Sequence, residues 1–152
     1  MNTTLIRKAT VKEAIEVAQN IREEDRMEIE GLGHNLMALP LAVVLSDVAV
    51  AFTNTEGVLS GVAGIQSTDT PGHGLVWMIC TPSLTQCPQT FVRQAKLWLE
   101  EQSHQYSLLS NLTDVRNTFH HKLLKLLGFK AVRTVQPPPH YLPYYEIVKL
   151  CA

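Results

Sequence analysis

Apolar residues near the start of the chain recur at helical spacing, and the middle of the chain shifts to strand-like runs. Residues 4–8 (TLIRK) read as a first strand. Thr10 opens Thr-x-x-Glu with Glu13, a capping box, and the apolar positions Val11, Ala14, Ile15, Ala18 and Ile21 continue it as a helix. The charged run Arg22 to Asp25 breaks or bends that helix. Asp25 to Glu30 starts a second turn or helix ending at Gly31 or Gly33, and a third helical piece lies around Met37 to Ser46.

The period then changes. Val48 to Phe52 and Val58 to Ile65 are β-rich runs joined by Asn54-Thr55-Glu56-Gly57, a good hairpin turn. Gly74 to Cys80 is apolar almost throughout, which predicts a central strand buried on both faces. A long helix follows, about Pro88 to Gln105, with Phe91, Val92, Ala95, Leu97, Trp98 and Leu99 as its core face. Next come a strand over Ser107 to Leu112, a helix over Asn117 to Leu127 and strands over Lys130 to Val135 and Tyr144 to Leu150. The order β-α-α-β-β-β-α-β-α-β-β predicts an α+β fold: a mixed, mostly antiparallel sheet with helices on both faces.

Composition narrows the class without naming a function. The 152 residues predict a single domain spanning 1–152, and 45% hydrophobic with 18% charged residues is ordinary for a globular protein. A net charge of −1 leaves no basic footprint for nucleic acid. The opening MNTTLIRKAT has no apolar signal region, and Leu36 to Leu45 contains Pro40 and is too short to span a bilayer. A cytoplasmic protein with no membrane partner is therefore expected. Cys80, Cys87 and Cys151 are odd in number and have no paired metal-ligand spacing, so reduced thiols and no metal are expected.

Several short motifs then fall in a telling order. The last helix carries Asn117, His120 and Leu124 ahead of Gly128-Phe129, and the N-terminal region carries Arg22-Glu23-Glu24-Asp25-Arg26-Met27-Glu28-Ile29. Trp77 precedes Thr81, the long helix has Phe91-Val92-Arg93, and the following strand has Leu109-x-Asn111. With these motifs the chain resembles the GNAT acyltransferase superfamily, and within it the small GNAT-like proteins of tailed phages, some of them internal virion proteins. The resemblance implies an acetyl-CoA or other acyl-CoA cofactor, held by Met78, Ile79, Cys80 and Thr81 on the central strand. Thr85, Gln86, Cys87, Gln89 and Thr90 in the loop entering the long helix, together with Asn117, complete the implied cofactor site. It further implies transfer to an amine on a host protein or small molecule, a host or virion protein as partner, and residence in the host cytoplasm or the virion.

Two departures favour a rival reading, a degenerate member kept as a binding module, either a virion component or an effector that docks on a host enzyme. The loop Thr85 to Thr90 lacks the family's phosphate-binding glycines, and Pro88 removes a backbone donor. The family's proton-donating tyrosine is replaced by Leu124, which has no proton to give.

His120 can serve as acid or base, or can be a helix-face histidine bonded to backbone or water. Asp25 and Glu28 lie three apart and either bind or activate an amine or belong to a solvated charged face. Asn117 fits a helix cap, a role compatible with facing the cofactor cleft. His121 is expected in solvent, Cys80 as a buried thiol and Trp77 and Trp98 as core anchors. Leu123, Leu124 and Leu127 should pack inward. Gly74 to Cys80 should splay from Ser107 to Leu112 and open a cleft, and the stiff Pro137 to Tyr144 segment reads as a rigid loop or a partner-facing rim.

Overall fold

The computed structural model describes residues 6–84 and 89–151. The elements are β1 (Ile6–Lys8), α1 (Val11–Gln19), α2 (Glu23–Gly31), α3 (Ala38–Leu45), β2 (Val48–Thr53), β3 (Leu59–Ser67) and β4 (His73–Cys80), then α4 (Gln89–Ser103), β5 (Leu108–Asp114), α5 (Thr118–Leu126), β6 (Lys130–Val135) and β7 (Tyr144–Leu150). Three helices, one more than the predicted order counts, lie between β1 and β2. The predicted start of the first strand, Thr4 and Leu5, and the Pro88 start of the long helix lie outside the described residues.

The seven strands form one sheet in the order β1-β2-β3-β4-β5-β7-β6. Every neighbouring pair is antiparallel except β4 with β5, so the mixed, mostly antiparallel α+β fold read from the sequence is the fold observed. Helices α1 to α3 cover one face, where Ala14, Val17, Ala18 and Leu39 pack on Ala51, Val62 and Ile79. Helices α4 and α5 cover the other, where Phe91 and Leu123 meet Phe52 and Cys80, and Leu99 meets Ile65 and Leu109.

Local chemistry explains the element ends. Thr10 accepts from the Glu13 N–H while the Glu13 carboxylate accepts from the Thr10 N–H, the predicted capping box. In the β2–β3 hairpin, the Asn54 side chain accepts from the N–H groups of Glu56 and Val58, and Gly57 takes a φ of 81°. Some predicted core positions are not core. Val11 and Ile15 on α1 are exposed, because small Ala14 and Ala18 let α1 sit close to the sheet along one narrow stripe, and Leu97 on α4 is exposed while Phe91 and Leu99 face the core.

The strand pair that decides the architecture is β4–β5. It is laddered over only three residue pairs, His73–Leu108, Gly74–Leu109 and Leu75–Ser110, and beyond them the strands part. The expected splay and cleft are present. The expected burial of β4 on both faces is not: Leu75 is exposed and Val76, Trp77 and Met78 are half-buried, because their surroundings include the opening itself. None of the described helices is long and apolar enough to cross a membrane.

Candidate active site in the gap between β4 and β5

Where two strands separate, their facing backbone groups lose partners and must find others. On β4, Ile79 and Thr81 turn toward β3, whose Ser60 carbonyl accepts from the Thr81 N–H at 2.9 Å. The alternate residues Val76, Met78 and Cys80 therefore present their backbone to the gap. Asn111 fills the narrow end as a strut. Its Nδ2 donates across to the Val76 carbonyl, and its Oδ1 accepts from the Leu112 N–H at 2.7 Å.

The wide end is held by two carboxylates from α2. Asp25 Oδ2 accepts from the Cys80 N–H at 2.7 Å, so it caps β4. Glu28 Oε1 accepts from the Asp114 N–H and from Thr113 Oγ1, both at 2.8 Å, so it caps β5. His120, from the opposite face of the sheet, lies between them, with Nε2 3.3 Å from Asp25 Oδ1 and Nδ1 3.6 Å from Glu28 Oε2. The result is a strap, β4–Asp25–His120–Glu28–β5, that joins helices of the two faces through the sheet.

Three further residues fix the strap. Arg22 Nη1 donates to Asp25 Oδ1 at 2.8 Å, and its guanidinium stacks 4.6 Å from the Phe119 ring centre. Asn117 Nδ2 donates to the same oxygen at 3.0 Å. Tyr144 donates its hydroxyl to the Glu28 carbonyl at 2.6 Å, and Gly31 leaves room for it, since a Cβ there would stand 2.3 Å from the tyrosine oxygen.

Burial sets the electrostatics. Asp25 is fully buried and His120 is 5% exposed. Burial disfavours the charge on the His120 ring, but the Asp25 carboxylate overcomes it, aided by Glu28, and raises the imidazole well above its ordinary range. Burial opposes ionisation of Asp25 as well, yet His120, the Cys80 N–H and Arg22 hold its carboxyl below the ordinary value. Burial pushes the Cys80 thiol up. The direction favours the protonated ring, so His120 is unsuited to take a proton.

A cavity of about 460 Å³ occupies the gap. Its wall is drawn from both faces: Leu32 and Leu39 on one, Phe91 and Trp98 on the other, with Met78 and Ile79 between and Glu28, His34 and His120 as ionisable groups.

Asp25, Glu28, Cys80, Asn117 and His120, all named from the sequence, thus converge, with Met78 and Ile79 lining the cavity beside them. Others do not join them. Thr81 is buried but bonds Ser83 Oγ at 2.6 Å, beside the β2–β3 hairpin end, and Gln89 and Thr90 are exposed on the first turn of α4. Thr85, Gln86 and Cys87 lie outside the described residues. The solvated-face reading of Asp25 and Glu28 is overturned by their burial. Asn117 stands at the N-cap of α5 but makes no side-chain cap bond: Nδ2 donates to Asp25, and Oδ1, the atom a cap would use, faces Arg22 Nη1 at 3.5 Å. His121 is not free in solvent: Nε2 lies 2.8 Å from the Asp114 carbonyl and the ring stands edge-on to Tyr145. Asn111 was visible only as a motif letter, although a polar residue in the apolar run Leu108 to Leu112 was a signal for a buried bond.

No protein-family profile and no curated protein sequence matches this chain. Solved structures do. The spermidine N-acetyltransferase from Vibrio cholerae in complex with CoA and spermine superposes with a TM-score of 0.70 at 11% identity, covering 98% of this chain and 96% of that one. A GNAT-family acetyltransferase from Bacillus anthracis gives 0.69 at 14% identity, over 97% and 95% of the two chains. The aminoglycoside acetyltransferase AAC(6')-Ib with coenzyme A gives 0.67 at 13% identity, again over 97% and 95%. The chain has the fold of these GNAT acetyltransferases along nearly its full length.

Proposed function

We propose that the chain is an acyl-CoA-dependent N-acyltransferase that binds the cofactor arm in the gap between β4 and β5. One observation carries the reading. The β4–β5 ladder stops after Leu75, and the Met78 backbone beyond it faces a largely apolar cavity. Such an edge accepts an extended ligand as an added strand, with main-chain hydrogen bonds for affinity. Among the fold neighbours, AAC(6')-Ib and the Vibrio cholerae spermidine N-acetyltransferase are solved with CoA, which supports the same ligand here.

Transfer of an acyl group from a thioester to an amine needs oxyanion donors, a proton for the departing thiolate and loss of a proton from the amine. The Met78 N–H is placed to serve the oxyanion. The His120 ring, in the cavity wall, supplies the thiolate proton that Leu124 cannot, and the proton shed by the acceptor amine returns to it through water, which closes the cycle. The acceptor is an amine on a protein or a small molecule, and the phage-borne, host-directed setting implied by the motif resemblance belongs to this proposal.

A second reading has its own observation. Asp25 already occupies the Cys80 N–H and draws Asn117 to itself, so two groups assigned to the cofactor are spent inside the protein. That favours a catalytically silent fold that docks on a host or virion protein. Isothermal titration of CoA and acetyl-CoA into the chain separates the two. Saturable binding at one equivalent, weakened at least about tenfold by Met78→Pro, supports the proposal, since that change deletes a donor facing the gap and spares the β3 ladder. Absence of heat at millimolar cofactor overturns it in favour of the silent fold.

A further inference from the structure

We propose that Asp25, Cys80 and His120 form a binding site for a zinc-class divalent cation, which fastens α2, β4 and α5 to one another across the gap. The donor atoms of these three buried residues all lie within 4.8 Å of one another. Carboxylate oxygen, thiolate sulfur and imidazole nitrogen together suit zinc and its cobalt surrogate, and not magnesium or calcium.

Three observations beyond the clustering point to a ligand. First, His120 Nε2 is a buried nitrogen whose 3.3 Å contact with Asp25 falls outside hydrogen-bond geometry, although it faces Asp25 and Cys80. Second, its 3.3 Å separation from Asp25 Oδ1 matches the edge of a metal tetrahedron. Bonds of about 2.0 Å from zinc to nitrogen and oxygen put those atoms about 3.3 Å apart. Third, the far side of the ring faces a carboxylate, with Nδ1 3.6 Å from Glu28 Oε2. A metal-bound histidine almost always turns its other N–H to such an acceptor, which directs the lone pair of the first nitrogen at the metal. Arg22 and Asn117 both donate to Asp25 Oδ1 and fix where that oxygen points.

Zinc takes the Cys80 sulfur as thiolate and Nε2 of His120 as a bare lone pair, so any proton on those atoms leaves to solvent as the metal binds. Geometry asks for one adjustment. A tetrahedral zinc needs sulfur about 3.6 Å from its nitrogen and oxygen neighbours, so the thiol closes by up to about 1 Å. Water completes the fourth position. In the metal-loaded chain Nε2 has no proton to give, so the acid role proposed for His120 belongs to the metal-free form.

The test uses the full chain carrying Cys87→Ser and Cys151→Ser, stripped with chelator and titrated with cobalt(II), then zinc(II). The expected result is one equivalent bound, the intense visible bands of tetrahedral cobalt, a near-ultraviolet thiolate-to-cobalt band, and a melting temperature that rises with either metal. Adding Cys80→Ser should abolish the thiolate band. Glu28→Gln should weaken binding about 10–100-fold, the effect of losing an outer-shell partner, with the bands retained at saturation. Absence of the thiolate band in the Cys80-containing protein, or a band that survives Cys80→Ser, overturns the site. Neither readout involves CoA, so the acyltransferase reading stands or falls separately.

Discussion

Helix α2 carries one run of charges with two opposite fates. On its outer side Arg26 pairs with Glu23 and, at 2.8 Å, with Glu30, and all three side chains reach solvent. On its inner side Asp25 and Glu28, three residues apart, are buried and bound to backbone amides of two different strands. Little in the local sequence separates the sets, since Asp25 stands three residues from Arg22 just as Glu23 stands three from Arg26. The difference lies in what faces them. The parting of β4 and β5 leaves the N–H groups of Cys80 and Asp114 without a ladder, and the inner carboxylates supply the acceptors that a paired strand would have supplied. The outer carboxylates meet water, which already satisfies them.

The largest expected effect comes from removing an inner carboxylate. Asp25→Ala strands the Cys80 N–H, the Arg22 guanidinium and the His120 ring in a buried site. Breaking one partner from a buried charge cluster costs about 3–5 kcal/mol. Urea unfolding should show that loss as a lower midpoint at unchanged slope. A loss below about 1 kcal/mol would mean that the strap is solvated and that the contrast between the two faces of α2 is false.

A smaller effect tests the narrow end of the gap. Asn111→Leu keeps the volume but removes both bonds of the strut, leaving the Val76 carbonyl and the Leu112 N–H unpaired. A buried group left unsatisfied costs about 1–3 kcal/mol. The variant should sit between the inner and outer changes of α2 in unfolding midpoint. If it matches the wild type, side-chain caps are not what holds the separated strands, and the account of Asp25 and Glu28 weakens with it.

These expectations also mark what could be read from sequence. The alternating and 3.6-period runs announced the strands and helices, because the burial that makes those patterns is local to each element. The Asn54 turn and the Thr10 box were legible because each closes within five residues. The strap was not, since its members lie 55 to 95 positions apart and meet only after the sheet forms. The apolar run Gly74 to Cys80 identified a central strand but concealed the opening beside it. Apolar side chains line a cavity as readily as a packed core. His120 and Asp25 could be named as candidates, yet their burial could not be foreseen, because a charge run ordinarily marks a wet surface.

The smallest effect is expected on the outer face, and it is the sharpest control. Arg26→Ala removes two ion pairs at once, but the guanidinium side chain is 37% exposed, and its partners Glu23 and Glu30 are 60% and 49% exposed. Exposed pairs of this kind contribute about 0.2–1 kcal/mol because water screens the attraction and the long side chains lose freedom when they pair. A double-mutant cycle on Arg26 and Glu30 should give a coupling of about 0.3–0.5 kcal/mol that shrinks as salt rises from roughly 0.05 to 0.5 M, where the screening length falls below the spacing of neighbouring surface charges. The same cycle on Asp25 and Asn117 should be larger and indifferent to salt, because both members are out of reach of counter-ions. Equal couplings with equal salt dependence would show that burial does not divide this helix. The division of one acidic run into a solvent face and a strand-capping face would then have to be abandoned.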